Sequence, residues 1–176
     1  MRGRCFFLTL EPDVQISEAK SLEQREQFYP VLETSFDGWY LSHSKRTLRD
    51  IDKVFGASLG GKNVGVVMLK FVDPKIGYVY YIAVHSQYRG MGIGKKLLDF
   101  SLSYFSDLTS DIVFASLTTE HGGESKDLFL SDGFQETTFG EVAKKYGRLR
   151  AVNLYRKMLV VSGETVVFKK LGNTLA

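Results

Sequence analysis

Tyr78-Val79-Tyr80-Tyr81-Ile82-Ala83-Val84-His85-Ser86-Gln87-Tyr88-Arg89-Gly90-Met91-Gly92-Ile93-Gly94-Lys95-Lys96-Leu97-Leu98 runs through three local patterns in turn. Residues 78–84 form an apolar run of strand length, and residues 89–94 carry three glycines behind an arginine. Leu97, Leu98, Ser101, Leu102 and Phe105 then recur at helical spacing, which predicts a helix from Gly92 or Ile93 to Phe105 with Lys95, Lys96, Asp99 and Ser103 outward. Strand, glycine turn and helix start gather free backbone N–H groups and the positive end of a helix dipole at one point, a site suited to phosphate or pyrophosphate. Each glycine lets the main chain approach a ligand with no Cβ in the way. The plainer reading, a turn that closes a tight strand-to-helix connection, stays open.

Spacing separates the phosphate loops that look like this. A dinucleotide fingerprint counted from Gly90 and Gly92 needs its last glycine at position 95, which is Lys95. A Walker loop ending at Gly94 needs glycine where Arg89 stands, and Ser or Thr where Lys96 stands. Neither fits. Arg89-x-x-Gly92-x-Gly94, following Ile82-Ala83-Val84, instead resembles the coenzyme-A-binding motif of the GNAT acyltransferases. A second landmark of that family, a helix ending like A-x-x-L-Y-x-x-x-G-F, is matched some forty residues on by Leu128, Gly133 and Phe134. The resemblance covers about residues 14–158. It implies acetyl-CoA as acyl donor, with its pyrophosphate on the amides of Arg89, Gly90, Met91, Gly92, Ile93, Gly94 and Lys95. It also implies that Ile82, Ala83 and Val84 pair with the pantetheine arm and offer a backbone donor to the thioester carbonyl.

Composition excludes little but sets bounds. At 176 residues, 44% hydrophobic and 24% charged, the chain reads as one domain of an ordinary globular protein, residues 1–176. A net charge of +3 suits an anionic cosubstrate without calling for nucleic acid. The lone Cys5, beside Phe6, Phe7 and Leu8, forms no internal disulfide, so a cytoplasmic location is expected. No apolar run reaches the roughly 20 residues of a membrane helix, and the short apolar stretch after Arg2 and Arg4 is too brief for a leader. Three scattered histidines and one cysteine have no metal-binding spacing, so no metal is expected.

Outward from the loop, strands are predicted at residues 4–10, 14–19, 54–59, 64–72, 112–117, 135–139 and 149–157. Ser21-Leu22-Glu23-Gln24 is a capping box, and Pro30 interrupts the helix whose apolar positions are Leu22, Tyr29, Leu32 and Phe36. Residues 37–40 read as a loop, with a second helix from about Ser44. A short helix spans residues 125–131, and Gly133 stops it. Residues 140–148 read as an exposed link. The fold class is α/β: a mixed, mostly antiparallel sheet flanked by helices, the GNAT order. Residues 1–13 and 159–176 read as additions, with 160–161 and 165–168 as a hairpin pairing with residues 4–10 or with a second subunit of a homodimer.

The resemblance implies transfer of an acetyl group to an amine on a small molecule, peptide or protein. It also marks departures. Phe129 stands where many members carry the tyrosine that protonates the departing thiolate; it keeps the packing against the cofactor and has no proton to give. The carboxylate often found on the strand before the loop is replaced by Tyr78, Tyr80 or Tyr81. By strand alternation Tyr78 and Tyr80 share a face with Ile82 and Val84, and Tyr81 points away. Tyr80, Glu120 and His121 are the catalytic candidates, Tyr80 to orient water or line the pocket and His121 to accept a proton. His85 reads as structural; His43, in the loop before the second helix, is a candidate to touch substrate, with a solvated loop histidine the plainer reading. Trp39 and Tyr40 are candidates to wall the acceptor pocket, and Asp37 or Glu141 to attract its amine. A catalytically weak coenzyme A-binding module is the alternative.

Overall fold

The computed structural model describes residues 13–108, 110–118, 123–161 and 163–172. Its strands are β1 (Gln15–Glu18), β2 (Lys53–Leu59), β3 (Lys62–Asp73), β4 (Ile76–Val84), β5 (Ile112–Leu117), β6 (Gln135–Thr137) and β7 (Thr165–Lys170). They form one sheet in the order β1-β2-β3-β4-β5-β7-β6. Every pairing is antiparallel except β4 with β5. Parallel neighbours need a crossover, and the helix predicted from the apolar spacing, α4 (Ile93–Asp107), supplies it. Among the described residues no helix is long and apolar enough to cross a membrane.

Helices cover both faces of the sheet. On one, Leu97, Leu98 and Phe105 of α4 and Phe129 of α5 (Gly123–Ser131) bury Val67, Val79, Val113 and Val167. The other face has two clusters. Phe28, Val31 and Leu32, at and in α2 (Tyr29–Glu33), join Leu48 of α3 (Gly38–Asp50) over Val54, Val66 and Met68. Farther across, Val142 of α6 (Phe139–Tyr146) and Ala151, Leu154 and Met158 of α7 (Arg148–Met158) lie over Tyr78, Ile112, Phe114 and Val166. Tyr80 touches both clusters and marks the seam between them.

The capping box holds: Ser21 Oγ accepts from the Gln24 N–H at 3.2 Å, and Gln24 Oε1 accepts from the Ser21 N–H at 3.0 Å, opening α1 (Leu22–Glu26). Pro30 restarts the chain as the separate α2, since proline fits a first helical turn and not an interior.

Four expectations are corrected. Residues 38–43 are not a loop: α3 begins at Gly38, behind extended Asp37, and carries Trp39, Tyr40 and His43 in its first turns. Residues 149–157 are helical, not extended; the buried positions Ala151, Leu154 and Met158 fall three and four apart. The supposed link is α6, whose Thr138 and Glu141 form a second capping box. Finally, β7 is no appended hairpin but pairs between β5 and β6, so the sheet runs to Lys170 and the strand at residue 135 ends at Thr137. Residues 4–10 lie outside the described residues.

Alternation along β4 is also interrupted. Leu69 pairs with Val79 and Met68 with Tyr81, leaving Tyr80 as an extra residue, a β-bulge. Val79 therefore packs under α4, Tyr80 and Tyr81 both pack on the α3 side, and Ile82 returns to the α4 face. Tyr80 and Tyr81 stand together, apart from Ile82 and Val84, because the extra residue shifts the period by one.

Candidate active site

β4 and β5 pair only from Ile76 opposite Ile112 to Val79 opposite Ala115. β4 continues to Val84 and β5 to Leu117, so beyond the bulge the two strands part and the edge of β4 facing β5 leaves the ladder. Two hollows meet at this parting. One, of about 600 Å³, lies against Ile82, Ala83, Val84, Arg89, Gly90, Gly92, Ile93, Gly94 and Lys95. The other, of about 500 Å³, lies on the seam between α3 and α7. Phe36, Ile82 and Ser125 line both.

The glycine loop is shaped for an anion. A 3-10 turn, Ser86–Tyr88, leads into it, capped by His85 Nδ1, which accepts from the Gln87 N–H at 3.3 Å, a structural role. Gly90 and Gly92 sit at φ +76° and +75°, and a Cβ at either would meet no protein atom, so the space above them is open. The first bond of α4 runs from the Lys96 N–H to Gly92 O at 3.0 Å; the amides of Ile93, Gly94 and Lys95 precede it. A diphosphate fits such a cradle.

The side chains around the loop do other work than their charges suggest. Arg89 donates from Nε to Val84 O (3.3 Å) and from its terminal nitrogen to Thr34 O (3.1 Å), tying the loop to the ends of β4 and α2. Ser35 Oγ reaches the same Val84 carbonyl at 3.1 Å. Lys95 turns its ammonium to Asp99 and to Asp132, the latter at 2.6 Å, so its contribution to the cradle is its amide. Ile93 and Ala83 are buried and likewise present backbone only. Met91 is 41% exposed and stands outside the cleft lining.

The second hollow is aromatic. Trp39, Tyr40 and His43 of α3 face Tyr80 and Tyr81 of β4, with Met158, Leu159, Val160 and Glu164 on the opposite wall. His43 is stacked between Trp39 (centroids 4.7 Å, planes 18° apart) and Tyr80 (6.0 Å, 16°). Its Nδ1 lies 3.0 Å from Tyr81 Oη and 3.4 Å from Thr47 Oγ1. Burial, and then Arg46, hold its imidazole below the usual histidine range. Burial pushes the Tyr80 hydroxyl up to about 12 and those of Tyr78 and Tyr81 higher still. Tyr78 Oη and Ser116 Oγ are 2.6 Å apart at the parting of the strands. Glu164 Oε2 accepts from the Val161 N–H at 3.1 Å.

Of the catalytic candidates, Tyr80 lines this hollow, while Glu120 and His121 lie outside the described residues. Phe129 also lines it, buried edge-on to Phe134 at 5.0 Å. Asp37 borders the glycine cleft. Glu141 is away from both hollows, accepting from Thr137 and Thr138 in the α6 cap. Glu164, which lines the second hollow, is a residue that sequence patterns passed over, and His43 lines it as a helical and not a loop residue. A helix start at Asp37 would have placed Trp39 and His43 one turn apart on one face.

The model of the acetyltransferase (GNAT) family matches residues 16–134. Mouse N-acetyltransferase 8B is 36% identical over 87 residues, a stretch that spans 46% of this chain and only 37% of the mouse protein. The PaiA N-acetyltransferase of Thermoplasma acidophilum, solved in complex with coenzyme A, superposes with a TM-score of 0.66 at 15% identity, covering 90% of this chain and 99% of that one. The ribosomal-protein-S18-alanine N-acetyltransferase of Escherichia coli gives 0.64 at 14%, covering 93% and 99%. At these identities the likeness of the two solved structures is one of fold. The family match, running from β1 through the glycine loop to the end of α5, shows that the chain belongs to the GNAT acetyltransferase family.

Proposed function

We propose that the protein transfers an acetyl group from acetyl-CoA to an amine seated in the aromatic hollow. The observation that carries this reading is the meeting of an anion cradle and an amine-sized cavity at the parting of β4 and β5. The amides from Gly90 to Lys95 hold the diphosphate. The edge of β4 beyond Val79, outside the β5 ladder and with the Val84 carbonyl already held by Arg89 and Ser35, binds the pantetheine arm by strand-like bonding. One N–H of that edge also polarises the thioester carbonyl as negative charge develops there, with no reorganisation at the moment of reaction. Holding amine and thioester in contact supplies much of the remaining barrier reduction. Aromatic faces and the Glu164 carboxylate suit the ammonium form of an acceptor with a ring-bearing or apolar body.

Phe129 favours a second reading, a coenzyme A-binding module with little turnover, because it brings no hydroxyl to the departing sulfur. A free thiol has a pKa of about 8.5, so the thiolate leaves tolerably without an acid. Thiol release from acetyl-CoA across a panel of arylalkyl, polyamine and peptide amines tests the proposal. Amine-dependent release supports transfer; firm cofactor binding with no release from any amine supports the module.

A further inference from the structure

An acceptor amine arrives protonated at neutral pH and must lose a proton before its nitrogen can attack. Among the described residues, the side chains around the aromatic hollow leave few groups able to take that proton. Tyr78, Tyr80 and Tyr81 stay protonated at neutral pH, Arg156 cannot accept, and the Glu164 carboxylate is turned to the Val161 N–H. His43 remains. Its ring is fixed in the plane between Trp39 and Tyr80, and its Nδ1 is engaged by Tyr81 Oη.

We propose, resting on the acetyl-transfer reading above, that His43 is the general base of the reaction and Tyr81 its positioning residue. The tautomer with its proton on Nδ1 donates to Tyr81 Oη, which leaves the Nε2 lone pair for the acceptor. Nε2 takes one proton from the ammonium, giving a neutral amine and an imidazolium. The nitrogen lone pair forms the C–N bond, the C–S bond breaks with its electron pair on sulfur, and the second nitrogen proton passes to the thiolate. The imidazolium returns its proton to water, so amide, free thiol and one proton are the products. The bulge carries the device: by placing Tyr80 and Tyr81 on one face it supplies both the stacking partner and the hydrogen-bond partner. A strand without the extra residue would turn one of them away.

The charged and titratable groups facing His43 are Tyr40 and Arg46 on its own helix, Tyr80 and Tyr81 on β4, Lys70 over the Tyr80 ring, and Arg156 and Glu164 across the hollow. With burial and Arg46 both opposing its charge, His43 is neutral at pH 7, and activity falls only as pH drops through a value below about 6.5.

The test is the pH profile of kcat/KM for an amine the wild type acetylates, compared with His43→Gln and Tyr81→Phe. Calorimetric affinity for coenzyme A serves as the folding control. The wild type should be level from about pH 7 to 9, because the base works on the abundant ammonium. His43→Gln should bind coenzyme A normally, lose roughly 10²–10⁴ in rate at pH 7, the usual contribution of a positioned base, and climb with pH as free amine becomes available. Tyr81→Phe should keep the level region, run slower, and move the acidic limb to lower pH. An unchanged rate and limb in His43→Gln overturns the assignment, and so does a limb lost only in Glu164→Gln. If His43→Gln fails the folding control, an unmoved limb in Tyr81→Phe overturns it instead. A wild type that releases thiol with no amine at all overturns the acetyl-transfer reading itself, and this one with it.

Discussion

Replacing Asp132 with Asn tests what a carboxylate shared by Lys95 and Lys169 does for the fold. Asp132 closes α5; its side chain is 9% exposed and accepts from Lys95 at 2.6 Å and from Lys169 at 2.8 Å, joining α4, α5 and β7. A hydrogen bond to a charged group contributes ~1.5–3 kcal/mol when well buried. Here the lysines are 48% and 29% exposed, so water recovers part of each bond, and the pair together stabilise by about 2 kcal/mol. With a urea slope of about 2 kcal/mol/M, the midpoint of Asp132→Asn should fall by about 1 M at pH 7. Burial opposes the charge, but Lys169 and Lys95 hold the carboxyl below the usual aspartate range. The folded protein therefore keeps Asp132 ionised where the unfolded chain, near pKa 3.9, takes up a proton. The contribution is whole above about pH 4 to 5 and is lost as pH falls through the depressed folded value. The gap between wild type and Asp132→Asn should close on acidification. A gap that does not change with pH, or no gap at pH 7, would refute the argument.

Other outcomes follow from single positions. A Cβ on Gly56 would sit 1.8 Å from Phe28 Cζ, so Gly56→Ala should cost at least ~1–3 kcal/mol by overpacking, and adding Phe28→Leu should recover much of it in urea melts. Phe129→Tyr restores a hydroxyl beside the parting of the strands. It should raise kcat by up to about 10²-fold, the lower end of what a positioned acid contributes, leaving coenzyme A affinity alone. An unchanged kcat would show that thiolate departure does not limit the rate.

What could be read from sequence was what local spacing encodes. Arg89, Gly92 and Gly94 lie within six residues of one another, and the loop they make needs nothing distant to be recognised. The capping box at Ser21 and the restart at Pro30 are local in the same way. The bulge at Tyr80 was not legible, because register belongs to two strands and shows only when Met68 and Leu69 are paired. Without it the two tyrosines fall on opposite faces. Helix α7 was misread because its exposed apolar residues, Leu149 and Val152, blur the spacing of Ala151, Leu154 and Met158. His43 looked solvated because its partners come from another element and from a helix start that Asp37-Gly38 disguises. Lys95 was legible as a cation, but Asp132, 37 residues away, decides where that cation points.

The central claim is that backbone amides between Arg89 and Lys95 grip a diphosphate. Calorimetric titration with coenzyme A and with the same molecule lacking its diphosphate tests it most directly, on the wild type and on Gly92→Val. Valine fits the open space but not the φ of +75°, and its side chain fills the cradle. The account predicts binding of coenzyme A by the wild type, strong loss without the diphosphate, and loss in Gly92→Val with the fold retained. Equal affinity for both ligands, or an indifferent Gly92→Val, would contradict it.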